Sequence, residues 1–259
     1  MLCNICSSSV SVMATARILK RYDIQYYACD NCKFIQTEVP YWLSEAYSEV
    51  IGKSDIGLVG RNIALSKITT LVIALFFDPD SRFLDYGGGN GMFVRLMRDK
   101  GLNFYWRDKY AENAFATGFE YTPGDHYELV TAFEVFEHLP NPLDEISEML
   151  KLSDNILFST LLLPKTPPLP QEWWYYSLDG GQHVSFYALE SLHKIADKFK
   201  VSVYTNGLSL HLFTRKKISK KVFTILTRCK YSTLLLPLVA RRKSLLAGDY
   251  FQITGSKLM

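Results

Sequence analysis

The chain has 259 residues, enough for one large domain of about 200 residues with a smaller appendage. Apolar residues at 48% and charged residues at 21% exclude a disordered, collagen-like or disulfide-scaffold protein. The formal charge is only +3, but from Arg215 onward eleven Lys/Arg face a single acid, Asp249, a local net of +10 that leaves −7 for the rest.

Residues 1–40 hold four of the five cysteines and lack helical periodicity, and residues 21–28 have the Tyr/Ile composition of a strand. From 41 to 77 the spacing predicts helix, carried by Trp42, Leu43, Ala46 and Tyr47 and later by Ile63, Leu65, Ile68, Leu71 and Val72. Asp78-Pro79-Asp80 ends that region. A short apolar run at 82–84, a glycine cluster and a helix over 92–98 follow. The alternation then repeats: strand 103–106, short helix 111–117, strand 128–133, helix 143–151 and strand 155–160. A proline-rich loop spans 161–170, and helix 189–199 precedes strand 201–204. Strands alternating with helices predict an α/β fold with a mostly parallel sheet. The divisions expected are a zinc-ribbon-like module at 1–40, a main domain at 41–214 with a helical lead-in, and a basic extension at 215–259.

The start Met-Leu-Cys-Asn-Ile-Cys lacks the basic residues and apolar run of a secretory signal. No apolar stretch reaches the roughly 18 residues of a membrane span: 70–77 is too short, and 222–240 is broken by Arg228 and Lys230. A cytoplasmic, reducing location is expected, where paired cysteines hold metal or do redox work. Cys3-x2-Cys6 and Cys29-x2-Cys32, separated by 22 residues, present four soft ligands suited to tetrahedral zinc. Neither pair opens a helix after a strand, which argues against a thioredoxin-like couple. Four protein ligands leave no open position, so the zinc would be structural. Cys229 reads as a lone thiol.

Asp85-Tyr86-Gly87-Gly88-Gly89-Asn90-Gly91 follows a strand and opens a helix, where glycines allow close approach to a ligand. A dinucleotide fingerprint fails, because the third glycine position falls on Met92. The spacing of Asp85, Gly87, Gly89 and Gly91 instead resembles class I S-adenosylmethionine-dependent methyltransferases. Asp108, 23 residues beyond Asp85, stands where an acid accepts ribose hydroxyls. The segment from Glu128 through Glu134 and Glu137 to His138 looks like the fourth-strand motif of that superfamily. Gly180-Gly181-Gln182-His183 and the residues to Tyr187 look like the segment after its fifth strand. With the cysteines, the whole is similar to zinc-containing methyltransferases of sugar and small-molecule modification. The resemblance implies a doubly wound Rossmann-like methyltransferase sheet with a reversed seventh strand, preceded by the small zinc-ribbon-like module. It implies S-adenosyl-L-methionine held by Asp85, Gly87, Gly89, Gly91, Asp108 and Glu134, and zinc held by Cys3, Cys6, Cys29 and Cys32. One departure stands out: Phe119-Glu120 occupies the end of the third strand, where many relatives place an acid for adenine.

Methyl transfer from a sulfonium needs in-line alignment, exclusion of water and, for some acceptors, removal of a proton. His138 and His183 follow the fourth and fifth strands at the sheet edge where open α/β folds bind ligands, and Glu137 can orient either ring. These three are the expected catalytic group, and Trp173-Trp174-Tyr175-Tyr176 is a candidate substrate lid. The acceptor expected is a small molecule or saccharide precursor. Two other readings remain open: a nucleic-acid-binding module using the zinc ribbon and basic tail, and a catalytically silent S-adenosylmethionine-binding scaffold. Against the first, Arg17, Lys20, Arg21 and Lys33 are nearly offset by Asp23, Asp30 and Glu38. The basic tail could instead lie on an anionic membrane surface, since cations at 216–221 and 241–243 bracket the apolar stretch 234–240.

Overall fold

The structure, a computed structural model, describes residues 1–47, 56–228, 233–239 and 242–258. Cys229 lies outside the described residues, as do part of the predicted 41–77 helical region and part of the 241–243 basic cluster.

Six strands form the central sheet: β4 (Arg82–Tyr86), β5 (Asn103–Arg107), β6 (Leu129–Ala132), β7 (Asn155–Ser159), β9 (Ser202–Thr205) and β10 (Leu210–Thr214). Their order is β5-β4-β6-β7-β10-β9. The first four are parallel, and β10 runs antiparallel to both of its neighbours. Period-two alternation sends successive side chains to opposite faces. Leu84, Val130, Ile156, Phe158 and Phe213 therefore enter one core. Phe83, Leu129, Leu157 and Leu212 enter the other. The first core is closed by α4 (Pro142–Leu152) and α5 (Leu189–Phe199). The second is closed by α2 (Leu58–Phe76), α3 (Met92–Asp99) and α6 (Lys220–Leu226). This is the expected doubly wound α/β sheet with a reversed strand, built among the described residues from six strands.

A second sheet precedes it. The hairpin β1 (Ser11–Ile18) and β2 (Tyr22–Ala28) continues through β3 (Ile35–Thr37) to β8 (Ser185–Phe186), a strand supplied from 150 residues further along. Cys3, Ile5, Cys29, Cys32 and Phe34 pack in the same core as α4 and α5. The short helix α1 (Leu43–Ala46) leads toward α2.

Three expectations are corrected. The helix predicted over 111–117 does not form. Asp108 Oδ1 accepts from Tyr110 and Ala111 N–H, the Asn90 carbonyl accepts from Ala114 and Phe115, and Asn113 Oδ1 accepts from Ala116. These acceptors capture the donors that a helical turn would use. Nor does a third parallel strand form at 119–120; one bridge between Trp106 and Glu120 stands in its place. Finally, α2 is long and apolar enough to cross a membrane, although the sequence reading found no such run. Its Ile68, Leu71, Val72 and Ile73 are buried, and Ile68, Val72 and Ile73 pack in the same core as α3 and α6, so the helix serves as a core element.

The described parts of the basic extension pack back on the main domain. Helix α6 lies against β9 and α2. The last helix, α7 (Leu246–Thr254), is anchored by Asp249 to Arg98 at 2.6 and 2.8 Å and to Arg95 at 2.9 Å. Arg215 pairs with Asp154, Lys216 with Glu128, and Arg242 with Asp80.

Candidate active site

A cleft of about 1700 Å³ opens along the C-terminal ends of β4, β5 and β6. That exceeds the roughly 300–1,000 Å³ of a single small-molecule site, so it has room for a donor and an acceptor together. Its walls come from the glycine turn after β4, the loop after β5, the segment after β6, the aromatic loop 173–176 and the β1–β2 turn at Leu19-Lys20.

The glycine turn is held from below. Gly87 and Gly88 N–H donate to the Arg107 carbonyl, and Trp106 Nε1 donates to the Gly89 carbonyl at 2.8 Å. Gly87, Gly89 and Gly91 all have left-handed backbone. A Cβ at Gly87 would lie 2.6 Å from Val135, and one at Gly91 would lie 2.7 Å from Asn113 Oδ1. At Gly89 it would meet no protein atom within 4 Å, which is the cradle a closely approaching ligand needs. Asp85 is nearly inaccessible, with Oδ1 accepting from the Thr131 hydroxyl at 2.6 Å. Burial pushes its carboxyl up to about 7, and the nearby Asp108 charge adds to the rise. Asp108 borders the cleft and ties the two loops together: Oδ2 accepts from Gly89 N–H at 2.9 Å, while Oδ1 holds Tyr110 and Ala111. Glu134 also borders the cleft, in a left-handed conformation that is costly for a non-glycine residue. Ser159 fixes it there by accepting from its N–H at 2.7 Å and donating to its Oε1 at 2.6 Å.

Glu137, His138 and His183 come together. Their ligating atoms all lie within 4.8 Å of one another, and the two imidazoles meet edge to face at 4.8 Å. Both rings line the cleft. His183 Nδ1 donates to the Tyr175 carbonyl at 2.7 Å, and His138 Nδ1 bonds the Tyr47 hydroxyl at 3.2 Å. Burial lowers His183 to about 4. Burial lowers His138 to about 3, with help from the neighbouring His183, so both rings are uncharged at neutral pH. Glu137 is fully buried, and neither of its oxygens makes a hydrogen bond. The Tyr175 and Thr160 hydroxyls, near enough to favour its ionised form, bond each other at 3.0 Å. Burial, reinforced by Glu134, raises its carboxyl to about 8.

The aromatic run divides. Tyr175 and Tyr176 are core residues, whereas Trp174 is exposed; Trp173, Trp174 and Tyr175 border the cleft. Sequence reasoning missed the roles of Tyr47, Trp106, Thr131 and Ser159, because each acts through a partner distant in sequence. Tyr47 also stacks on Tyr110, with ring centroids 4.7 Å apart.

Away from the cleft, the four N-terminal cysteines gather with all sulfurs within 4.8 Å, the Cys3–Cys32 and Cys6–Cys29 pairs each at 3.5 Å. Tetrahedral zinc with sulfurs at about 2.3 Å sets S···S near 3.8 Å, so this donor set fits that ion. The hydrogen bond from Cys32 holds the Cys3 thiol below its ordinary range.

No curated protein sequence matches the chain closely enough to be called a relative. Among solved structures, the plantazolicin methyltransferase BpumL in complex with SAH is similar over 60% of this chain and 84% of its own, at 13% identity and TM-score 0.43. An O-methyltransferase family protein from Burkholderia thailandensis is similar over 69% and 64%, at 12% identity and TM-score 0.47. The mitomycin 7-O-methyltransferase MmcR is similar over 68% and 60%, at 12% identity and TM-score 0.47. The chain thus spans less than two thirds of the latter two. A family model described as a methyltransferase domain matches residues 61–204, which runs from α2 through the glycine turn and both histidines to β9. With more than half of its length inside that match, the chain belongs to the methyltransferase domain family.

Proposed function

We propose that this enzyme methylates a small molecule, of the natural-product or saccharide-precursor type, bound in the cleft beside the Glu137–His138–His183 group. The carrying observation is a cleft with room for two ligands, lined by both the glycine cradle and two uncharged imidazoles. When bound, S-adenosylmethionine supplies an electrophilic methyl group on its sulfonium. Gly89 lets the donor approach the backbone, Asp108 retains lone pairs for ribose hydroxyls, and Asp85 secures the turn from beneath. Glu134 faces the donor side of the same cleft. Tyr47 and Tyr110, stacked over the loops, and Trp173 and Trp174, bordering the other side, exclude water and offer flat faces to an acceptor ring. An acceptor proton passes to a histidine lone pair at the cleft surface, or is released once the acceptor oxygen is otherwise stabilised.

The four cysteines bind a structural zinc that closes the N-terminal turns against α5, where the Ser191 hydroxyl donates to the Cys32 carbonyl at 2.8 Å. The test is calorimetric titration with S-adenosylmethionine, followed by mass spectrometry of cell extract incubated with labelled donor. Micromolar-range binding and a protein-dependent labelled small molecule support the reading. Binding without any labelled product would favour a silent scaffold, and competition by nicotinamide dinucleotides would overturn the donor assignment.

A further inference from the structure

Glu137 presents two buried carboxylate oxygens with no hydrogen-bond partner, beside two imidazoles whose Nδ1 atoms are engaged by Tyr47 and Tyr175. An unpaired buried carboxylate is costly, and it is relieved either by a proton, as the raised carboxyl of Glu137 shows, or by a cation that displaces that proton. We propose that Glu137, His138 and His183 form a second metal site, distinct from the four cysteines, which takes a divalent transition cation and presents its open coordination positions to the acceptor. The inference rests on the reading of this cleft as the acceptor site.

The donor chemistry selects the ion. Two imidazoles and one carboxylate suit Zn²⁺, Fe²⁺, Co²⁺ or Mn²⁺ better than Mg²⁺ or Ca²⁺, which favour all-oxygen shells. Three protein ligands leave at least one position free, unlike the closed four-sulfur cluster. Ligands within 4.8 Å of one another need side-chain closure of about 1 Å to stand around an ion at roughly 2.0–2.2 Å from each.

The surroundings of each ring are those of a metal ligand. His183 gives its Nδ1 hydrogen to the Tyr175 carbonyl, which fixes the tautomer and leaves the Nε2 lone pair for an ion. His138 Nδ1 meets the Tyr47 hydroxyl at 3.2 Å, and its ring also bonds the Gln182 backbone carbonyl, a contact that an ion at this ring would replace. The backbone around the group is clamped: Val184 N–H donates to the Glu137 carbonyl at 2.8 Å, the Ser185 hydroxyl to the Leu139 carbonyl at 2.6 Å, and the Tyr187 hydroxyl to the Phe136 carbonyl at 2.9 Å. The two ligand-bearing segments, far apart in sequence, are thereby locked together. Glu134 is not part of the set, because Ser159 holds its Oε1.

The cation would bind an acceptor hydroxyl oxygen. Coordination lets that hydroxyl lose its proton to solvent water; the oxygen then forms the new bond to the methyl carbon as the methyl–sulfur bond breaks and its electron pair stays on sulfur. Histidines occupied as ligands would not then act as bases.

The test loads metal-free protein with Co²⁺ and follows stoichiometry by elemental analysis and electronic spectra, with S-adenosylmethionine binding measured in parallel. The expected result is two cobalt ions per chain, one with intense thiolate charge-transfer bands and one with only weak ligand-field bands. Glu137→Gln and His183→Ala should each abolish or weaken the second ion more than tenfold while keeping the thiolate bands, which also report that the fold survives. Conversely, Cys29→Ser should remove the thiolate bands and keep the weak ones. One cobalt per chain carrying only thiolate bands, or a second ion indifferent to Glu137→Gln and His183→Ala, overturns the inference. If S-adenosylmethionine still binds in that case, the methyltransferase reading stands and the histidines act as bases. If it does not bind at all, the donor assignment fails independently of the metal.

Discussion

Gly89 and Gly91 share a left-handed backbone but differ in what surrounds them, and this separates binding from stability. Forcing alanine into that conformation costs about 1–2 kcal/mol at either position. At Gly91 the new methyl also collides with Asn113 and with Ala116, 3.1 Å away. Gly91→Ala should therefore destabilise the protein by more than about 2 kcal/mol in denaturant unfolding. Gly89→Ala should unfold nearer the wild type yet lose donor affinity in calorimetry, because its methyl enters the cradle. Equal effects of the two on stability and affinity would contradict this division.

Asp85 gives the pH signature at the same scale. Its carboxyl is raised by burial to about 7, well above an unfolded aspartate. The native state therefore holds a proton that the unfolded chain has released, and stability falls as pH rises from about 4 through 7. Asp85→Asn, which keeps the shape and an acceptor for Thr131, removes that loss. The free energy of unfolding of the variant, minus that of the wild type, should grow by up to roughly 4 kcal/mol across this window. A pH-independent difference would place the charge elsewhere. Sequence spacing found Asp85 and Asp108, because a turn motif fixes their positions along the chain. It could not find Thr131 or Trp106, whose roles exist only once parallel strands bring them beneath the turn.

The elements most legible in sequence were those whose periodicity is local. Helix α5 and strands β4 and β7 lie where alternation and spacing put them, within a residue or two. Strand β8 has two residues and no pattern of its own; it exists because β3 offers an edge beside it. The helix expected over 111–117 failed for the opposite reason, since Asp108, Asn90 and Asn113 outcompete a weak helical segment for its N–H groups. Helix α7 illustrates a long-range tie invisible to periodicity. Asp249, the lone acid of the tail, is buried between Arg98 and Arg95 across some 150 residues of chain. Removing one partner of a buried pair leaves the others uncompensated, at a cost of about 3 kcal/mol. Asp249→Ala should show that loss in equilibrium unfolding and raise hydrogen exchange in residues 246–254. A loss below about 1 kcal/mol would mean the contact is solvent-screened, as exposed pairs are.

At the scale of the molecule, the N-terminal segment reads in sequence as a separate module, but it does not have a core to itself. Cys3, Cys29, Cys32 and Phe34 share apolar contacts with Tyr187, Leu192 and Ile195, and β8 completes the N-terminal sheet from within the main chain path. The same segment that carries His183 is hydrogen-bonded to β3 on one side and to the Glu137 turn on the other. Loss of the cysteine cluster should therefore be felt at the Glu137–His138–His183 group, not only at the N-terminus. Scanning calorimetry of the zinc-loaded protein should give one transition, and the Cys29→Ser, Cys32→Ser double variant should keep a single transition at lower temperature. If the bound ion contributes as little as about 3 kcal/mol of its binding energy to folding, the midpoint should fall by roughly 6–12 °C for a chain of this size. Saturation with S-adenosylmethionine at a hundredfold excess over its dissociation constant should restore about 2.7 kcal/mol of that stability, since donor and metal act on one cooperative unit. Two resolved transitions, with only the smaller responding to zinc and only the larger to the donor, would mean that the two sheets unfold independently despite their common core.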